Sequence, residues 1–402
     1  MDRKMLVGVS GLGVAMLACA RLASADVQLQ PQAVPVGGMV ALPVVEFDTV
    51  YDDNIYGVSQ NEAGSFYQVV NPTVHLFSQD RLNVYDVMYS MKAGLYANDS
   101  NDSYLDQLFS ATAHVEPNGR LKLDGALKYA MLHDDRGTGY TSGIGLTNIL
   151  AYGEVDKYDL SSVGGALQYG ADDALGRFVL QSELSHKRYS RDKVAAARDV
   201  NGMNSLAGLR MRLSGKTTAL FDYERQSSNF TGALTPDTTD NRYLVGLTWQ
   251  DTVQTTGKVR FGSGKRKTDG GKTVSKPTWD LGMVWSPLVT DVVNLDAVSH
   301  TTNADQVGGT DQGKMVNLAW NHSWASRISS RAGLGWGKDT FVDPKDVKYR
   351  SDTTKQYQLG VQYQMRRWLV LNSNVSIVDR SSDVGTFDTK RSIYSVGVQL
   401  GL

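Results

Sequence analysis

The chain has 402 residues, with 41 Lys and Arg against 42 Asp and Glu, a net charge of −1, 40 Gly, 19 Tyr, 9 Pro and a single Cys. This balance excludes a collagen-like or disordered chain, offers no basic field for nucleic acid and cannot build a framework of intrachain disulfides. Beyond the N-terminus no apolar run comes near the roughly 18 residues of a membrane helix, so a polytopic helical membrane protein is excluded as well.

In chain order, residues 1–25 read as a secretory signal. Arg3 and Lys4 give a positive start, Met5 to Ala20 an apolar stretch, and Ala23-Ser24-Ala25 a cleavage site. Cys19 lies inside this segment, and Met16-Leu17-Ala18 is a poor lipoprotein signal before it. Removing Asp2, Arg3, Lys4 and Arg21 takes away a net +2, so the mature chain carries −1 − 2 = −3. Residues 26–42 are predicted as a periplasmic lead and 43–402 as one membrane barrel.

From there to the last residue one pattern repeats. In Tyr85, Val87, Tyr89, Met91, Ala93 and Leu95 the odd positions are apolar, whereas Asp86, Ser90 and Lys92 between them are polar. Leu121, Leu123, Leu127, Tyr129 and Met131 alternate in the same way with Lys122, Asp124 and Lys128. Further on, Tyr357, Leu359, Val361, Tyr363 and Met365 alternate with four glutamines, and the chain ends on Tyr394, Val396, Val398, Leu400 and Leu402. Period two is the mark of a β-strand with one apolar and one polar face. About eighteen such segments are predicted, centred near residues 47, 71, 89, 109, 127, 164, 183, 208, 221, 246, 259, 282, 296, 318, 332, 361, 373 and 396. Their connections are expected to alternate strictly. Short ones (Gln79-Asp80, Asp172-Asp173, Ser214-Gly215, Arg366-Arg367) take turns with long ones (Asp52 to Gly64, His133 to Gly153, Gly264 to Lys276, Lys338 to Thr353).

That layout predicts an all-β fold, a transmembrane antiparallel barrel with short periplasmic turns and longer extracellular loops. A soluble sandwich or propeller is the rival, but it gives no reason for loops to alternate in length. Aromatic placement favours the barrel. Trp249, Trp285, Trp324, Trp368 and Tyr363 stand by the short-turn ends, and Trp279, Trp336, Tyr243 and Tyr357 by the long-loop ends. Two such bands match two membrane interfaces. In lipid every strand must be paired, so the sheet is expected to close. An even strand count puts both termini in the periplasm, and a barrel of this size is wide enough for an aqueous channel. The expected location is the bacterial outer membrane.

The polar faces supply the candidate lumen. They include Lys92, Lys122, Lys128, Lys187, Arg210, Arg212, Lys258, Arg260 and Arg331, with Asp86, Asp124, Glu183, Asp222, Glu224, Asp280 and Asp296. Gln358 and Gln362 join them among the polar positions near the C-terminus. One reading is a charged wall for a polar or anionic solute; the plainer one is a ladder of cross-strand ion pairs that stiffens the barrel. The group Arg210, Arg212, Lys258 and Arg260 biases the channel toward anions if it faces one side of the pore. The loop His133 to Gly153, the longest, either folds inward and narrows the pore or stands out from the surface.

Enzyme motifs are missing. Gly271-Lys272-Thr273 resembles the end of a phosphate loop, but Arg266 occupies the place of its first Gly. His75, His114, His133, His186, His300 and His322 are scattered without ligand spacing, so neither a metal site nor a cofactor is expected. The chain is read as a non-enzyme.

The segment Tyr51-Asp52-Asp53-Asn54-Ile55-Tyr56 resembles the opening strand of the family called putative β-barrel porin 2, whose members start with an aromatic, an Asp/Asn cluster, an aliphatic and an aromatic. Leu402 departs from the terminal Phe of many outer-membrane barrels. The resemblance implies an exit channel for an exopolysaccharide. The partners would then be outer-membrane lipid, the polysaccharide as substrate and periplasmic polysaccharide-export proteins, with no nucleic acid. A general or solute-selective diffusion porin for uptake is the alternative, and a plugged structural barrel a third reading. The Asp/Asn cluster would lie at the outer rim, where it binds a cation, hydrogen-bonds sugars or makes a turn; a turn is its commonest use.

Overall fold

The computed structural model describes residues 29, 31–98, 100–252, 254–304 and 309–401, less the side chains of 251 and 252. The predicted signal segment, with Cys19, and Leu402 lie outside the described residues. A short strand β1 (Val34–Val36) turns at Gly37 and Gly38 and pairs with the start of β2 (Met39–Asp52). The barrel therefore begins four residues earlier than the predicted residue 43. It continues through β3 (Ser65–Asp80), β4 (Asn83–Tyr96), β5 (Tyr104–Asn118), β6 (Leu121–Asp134), β7 (Asp156–Tyr169) and β8 (Gly176–Tyr189). Next come β9 (Val200–Arg212), β10 (Thr217–Phe230), β11 (Thr238–Thr252), β12 (Thr255–Thr268) and β13 (Thr273–Trp285). The last six are β14 (Asp291–Asn303), β15 (Thr310–Ala325), β16 (Ile328–Val342), β17 (Lys348–Arg366), β18 (Leu369–Ser382) and β19 (Thr389–Gly401).

Each strand from β2 to β19 pairs antiparallel with the next. The ring is sealed where β19 lies on β2, from Ile393 opposite Asp52 to Gly401 opposite Val44. Eighteen strands thus form a closed barrel, and every predicted strand centre falls inside one of them. No described helix is long and apolar enough to cross a membrane. The helices α1 (Leu146–Tyr152) and α2 (Asp192–Arg198) both lie in connections.

The apolar parity faces outward. Leu359 is 63% exposed and Val396 66%, together with Leu127, Leu247, Phe261 and Val361. The opposite parity carries ion pairs that reach over a strand: Arg260 on β12 meets Asp222 and Glu224 on β10. A concave inner surface shortens that reach. A soluble sandwich would bury those apolar rows; here they form a belt fitted to hydrocarbon. An Arg at Val361 should cost about 2–4 kcal/mol of stability if it lies near the bilayer midplane. In thiol scanning with a membrane-impermeant reagent, Gln362→Cys should label and Val361→Cys should be protected. The reverse pattern would exchange the two faces.

The strict alternation of connection length does not hold. The connection expected at 264–276 is only 269–272, shorter than the turns 170–175 and 286–290 at the opposite end. The physical reason lies in β12 and β13, which continue beyond the apolar belt as Gly264–Thr268 and Thr273–Lys276. Out of the hydrocarbon the outward face has no need of apolar side chains. The period-two signal fades there while the hydrogen-bond ladder goes on.

Candidate functional site

The site is the lumen and its mouth at the long-loop end. The opening motif builds one side of that mouth. Asp52, fully buried, receives Arg391 Nε at 2.7 Å and Nη2 at 2.5 Å, and also the Asn54 N–H at 2.9 Å. Asn54 is also fully buried; its Nδ2 donates to the carbonyls of Val58 and Lys390, and its Oδ1 accepts the Val58 N–H. Asp53 accepts the Ser392 N–H at 2.7 Å. Of the three uses considered for this cluster, the structure shows the turn. The turn is tied to β19 across the closing seam, and it swings Ile55 and Tyr56 inward.

On that turn rests the long connection 135–155. Ile149 of α1 packs into a cluster with Ile55, Tyr56 and Val58. Arg136 pairs with Asp102 of the β4–β5 connection at 2.6 Å, with both side chains buried, and its guanidinium lies 5.5 Å from the Tyr56 ring centre. At Gly137, φ is +74° and a Cβ would collide with the Tyr56 carbonyl, so this close approach demands glycine. Gly143 likewise lies against the ring of Phe387 in the β18–β19 connection. Six strands separate that connection from the β6–β7 connection around the ring. A loop standing out from the surface could not span them, so this one folds inward over the mouth. Asp135 faces Arg391 at 3.6 Å. Desolvation pushes the Asp135 carboxyl up, but the hydrogen bond from His133 and the charge of Arg391 outweigh it and hold the group well below the usual carboxylate range.

Beneath the loop runs a row of rings: Tyr67 on β3, Tyr96 on β4, Tyr104 on β5, His133 on β6, Tyr158 on β7 and Tyr189 on β8. Tyr67 stacks on Tyr96 at 4.4 Å, Tyr104 on His133 at 3.9 Å, and Tyr158 leans on Tyr189 at 5.2 Å. Lys187 lies 3.7 Å from the Tyr158 ring centre and Lys92 5.8 Å from that of Tyr104. The sequence reading missed this row. Its signal was present, since each of the five tyrosines lies within the last three residues of its strand at the long-loop end.

The basic group expected to bias the pore is not free. Arg210 pairs with Asp222. Arg260 meets Asp222 at 2.9 Å, Glu224 at 2.7 Å and Asp280 at 2.8 Å; Lys258 meets Asp280 at 3.0 Å and Arg242 meets Glu224 at 3.2 Å. Arg212 is separate from them, exposed at the short-turn end of β9 opposite Thr218. Four cations interleave with three carboxylates, so the field they project is weak. The cross-strand ladder is the arrangement found.

Elsewhere, Lys122 pairs with Asp172 at 2.8 Å near the short-turn end, and Lys128 stands opposite Ser110 and Ser162. Arg331 lies between Asn321 and Gly360, Gln358 between Gly333 and Ser376, and Gln362 between Ser329 and Asn372. Gln358 and Gln362, with Ser329, Asn372 and Ser376 beside them, form a neutral amide and hydroxyl strip. One of the scattered histidines is brought nearer to ligand geometry than its spacing suggested: His300 Nε2 lies 3.3 Å from both Asp311 and Asp339. Register alone joins them, through β14, β15 and β16.

Against this geometry the comparisons are direct. The profile of the family described as Putative beta-barrel porin 2 matches residues 28–402. The chain belongs to this family. It is a porin-type β-barrel of the bacterial outer membrane. No curated protein matches it. Among solved structures, this porin-family chain is similar to OpdK of Pseudomonas aeruginosa, solved with vanillate, at 11% identity, covering 90% of this chain and 99% of that one with a TM-score of 0.48. OprD of the same organism gives 12% identity, 94% and 99% coverage and a TM-score of 0.46. The FrpB iron transporter of Neisseria meningitidis gives 12% identity and a TM-score of 0.48 over 84% of this chain, which spans only 63% of FrpB.

Proposed function

We propose that this barrel is a diffusion channel for small polar solutes, with the long-loop end outside and the short-turn end and both termini in the periplasm. Its membership of a porin family supports a channel. The observation that carries the reading is the inward loop 135–155, fixed by the buried Arg136–Asp102 pair and by contacts with two further connections, β2–β3 and β18–β19. A mouth narrowed by a fixed loop suits molecules that enter singly. The polymer exit implied by the family resemblance needs a path open along a whole chain, and a loop held inward over the mouth argues against it. Inside, the interleaved charges and the amide strip offer exchangeable hydrogen bonds without one dominant sign, which fits neutral or zwitterionic solutes better than an anionic polymer.

Three measurements test it. Purified barrel in planar bilayers should conduct, and liposomes containing it should swell in small sugars and amino acids. A clean deletion strain should keep normal secreted polysaccharide and lose uptake of a small nutrient. Lost polysaccharide with unchanged uptake would restore the export reading, together with its polysaccharide substrate and periplasmic export partners.

A further inference from the structure

The barrel wall has an opening between β13 and β14. Their ladder covers only Asp280–Trp285 against Val293–Val298; beyond it, Thr273–Trp279 runs alongside Ser299–Asn303 unpaired. Pro277 accounts for the break. The Trp279 N–H points toward β14 and donates to Ser299 Oγ at 2.8 Å. Residues two apart in a strand present their N–H groups to the same neighbour. Pro277 therefore faces β14 with no N–H to give, and the pairing cannot continue. On its other side it keeps its place in the sheet, opposite Ser263 of β12.

The gap holds a cavity of about 510 Å³, lined among others by Arg242, Arg266, Lys272, Lys276, Lys314 and Lys338. Arg242 and Arg266 have inward parity, whereas Lys314 and Lys338 share the outward parity of Leu318 and Trp336, so the cavity connects the two faces of the wall. The β16–β17 connection closes its top: the Pro344 carbonyl accepts the Lys272 N–H, and Asp346 takes Gln312 at 3.0 Å and lies 3.9 Å from Lys276. Arg242 is occupied by Glu224 and Arg266 by Asp240. Lys314 and Lys338 are direct cross-strand partners, a like-charge pair that is unfavourable by itself, and neither has a carboxylate within 4 Å among the described residues. Lys272 also has no such partner, and it stands at the same rim.

A like-charged pair held face to face at a cavity mouth calls for a multivalent anion. Its level decides which. Trp336 lies two residues below Lys338 on the same outward face, and Trp279 two below Pro277, so the opening sits just above the interfacial aromatic band. We propose that this opening binds the phosphate of an outer-leaflet glycolipid headgroup, held by Lys314, Lys338 and Lys272. The assignment of the leaflet rests on the orientation given under the proposed function.

The test uses the full-length barrel, delipidated in detergent, with native mass spectrometry of retained diphosphorylated lipid A, its dephosphorylated form and inorganic phosphate. The wild type should retain the diphosphorylated lipid alone. The Lys314→Gln/Lys338→Gln variant should bind it about thirtyfold more weakly. Pro277→Val, which restores an N–H and lets the ladder extend, should weaken retention with every lysine in place. Unchanged retention in the lysine variant overturns the site, and displacement by inorganic phosphate at equal concentration overturns the lipid as its ligand. Orientation is read separately from Lys345→Cys, at the exposed β16–β17 connection. Labelling of intact cells by an impermeant maleimide supports it, and labelling only after the outer membrane is opened overturns the orientation without touching the binding result.

Discussion

Replacing Arg391 by leucine should lower the stability of the barrel by about 3–5 kcal/mol, the usual cost of leaving one member of a buried ion pair without its partner. Asp52 has no exposed surface, and its Oδ2 receives both Nε and Nη2 of Arg391. The pair lies where β19 meets β2, at the top of the seam that makes the sheet a closed ring. With leucine in place, the remaining carboxylate either stays charged in a site without water or draws water into the seam. The measurement is the temperature at which the folded, fast-migrating form disappears in heated detergent gels. A second variant separates charge from packing: Asp52→Leu combined with Arg391→Leu removes both charges and should recover a large part of the loss. Arg391→Leu melting with the wild type would mean that the seam does not depend on this pair.

Arg136→Ala should free the loop over the mouth and raise the mean single-channel conductance in planar bilayers, with faster current fluctuations. Arg136 connects three elements: the Asp102 carboxylate, the Ile149 carbonyl and the face of Tyr56. Loss of the pair leaves the buried Asp102 carboxylate without the Arg136 charge, with the Tyr56 hydroxyl still donating to it, a change worth about 3 kcal/mol or more. Each 1.4 kcal/mol is about tenfold in an equilibrium, so the balance between docked and released loop shifts more than about a hundredfold. Asp102→Asn should act in the same direction but more weakly, since the amide can still accept from the guanidinium. Conductance that is unchanged in both variants would show that the loop does not set the width of the pore, and the narrowed-mouth argument for small solutes would fall with it.

The eighteen strands were legible because β-structure in lipid is a local code. Each strand must show one face to hydrocarbon, so alternations such as Tyr357 to Met365 and Tyr394 to Leu400 announce both the strand and its outward side, and tryptophans such as Trp336 and Trp368 mark its two ends. Where that pressure stops, so did the reading, as in the polar extensions Gly264–Thr268 and Thr273–Lys276. What only the tertiary structure decided depends on register and on approach between distant connections. Arg210 and Arg260 looked like free cations until register set Asp222, Glu224 and Asp280 among them. His300, Asp311 and Asp339 became neighbours by the pairing of three strands. The loop could fold either way as sequence; its direction is fixed by a buried ion pair to Asp102 and by contact with Tyr56 and Phe387. Pro277 was visible as a letter, but its effect on the wall follows from which neighbour its missing N–H faces. A single strand's sequence says which side meets lipid; only the closed ring says what each polar side chain meets within.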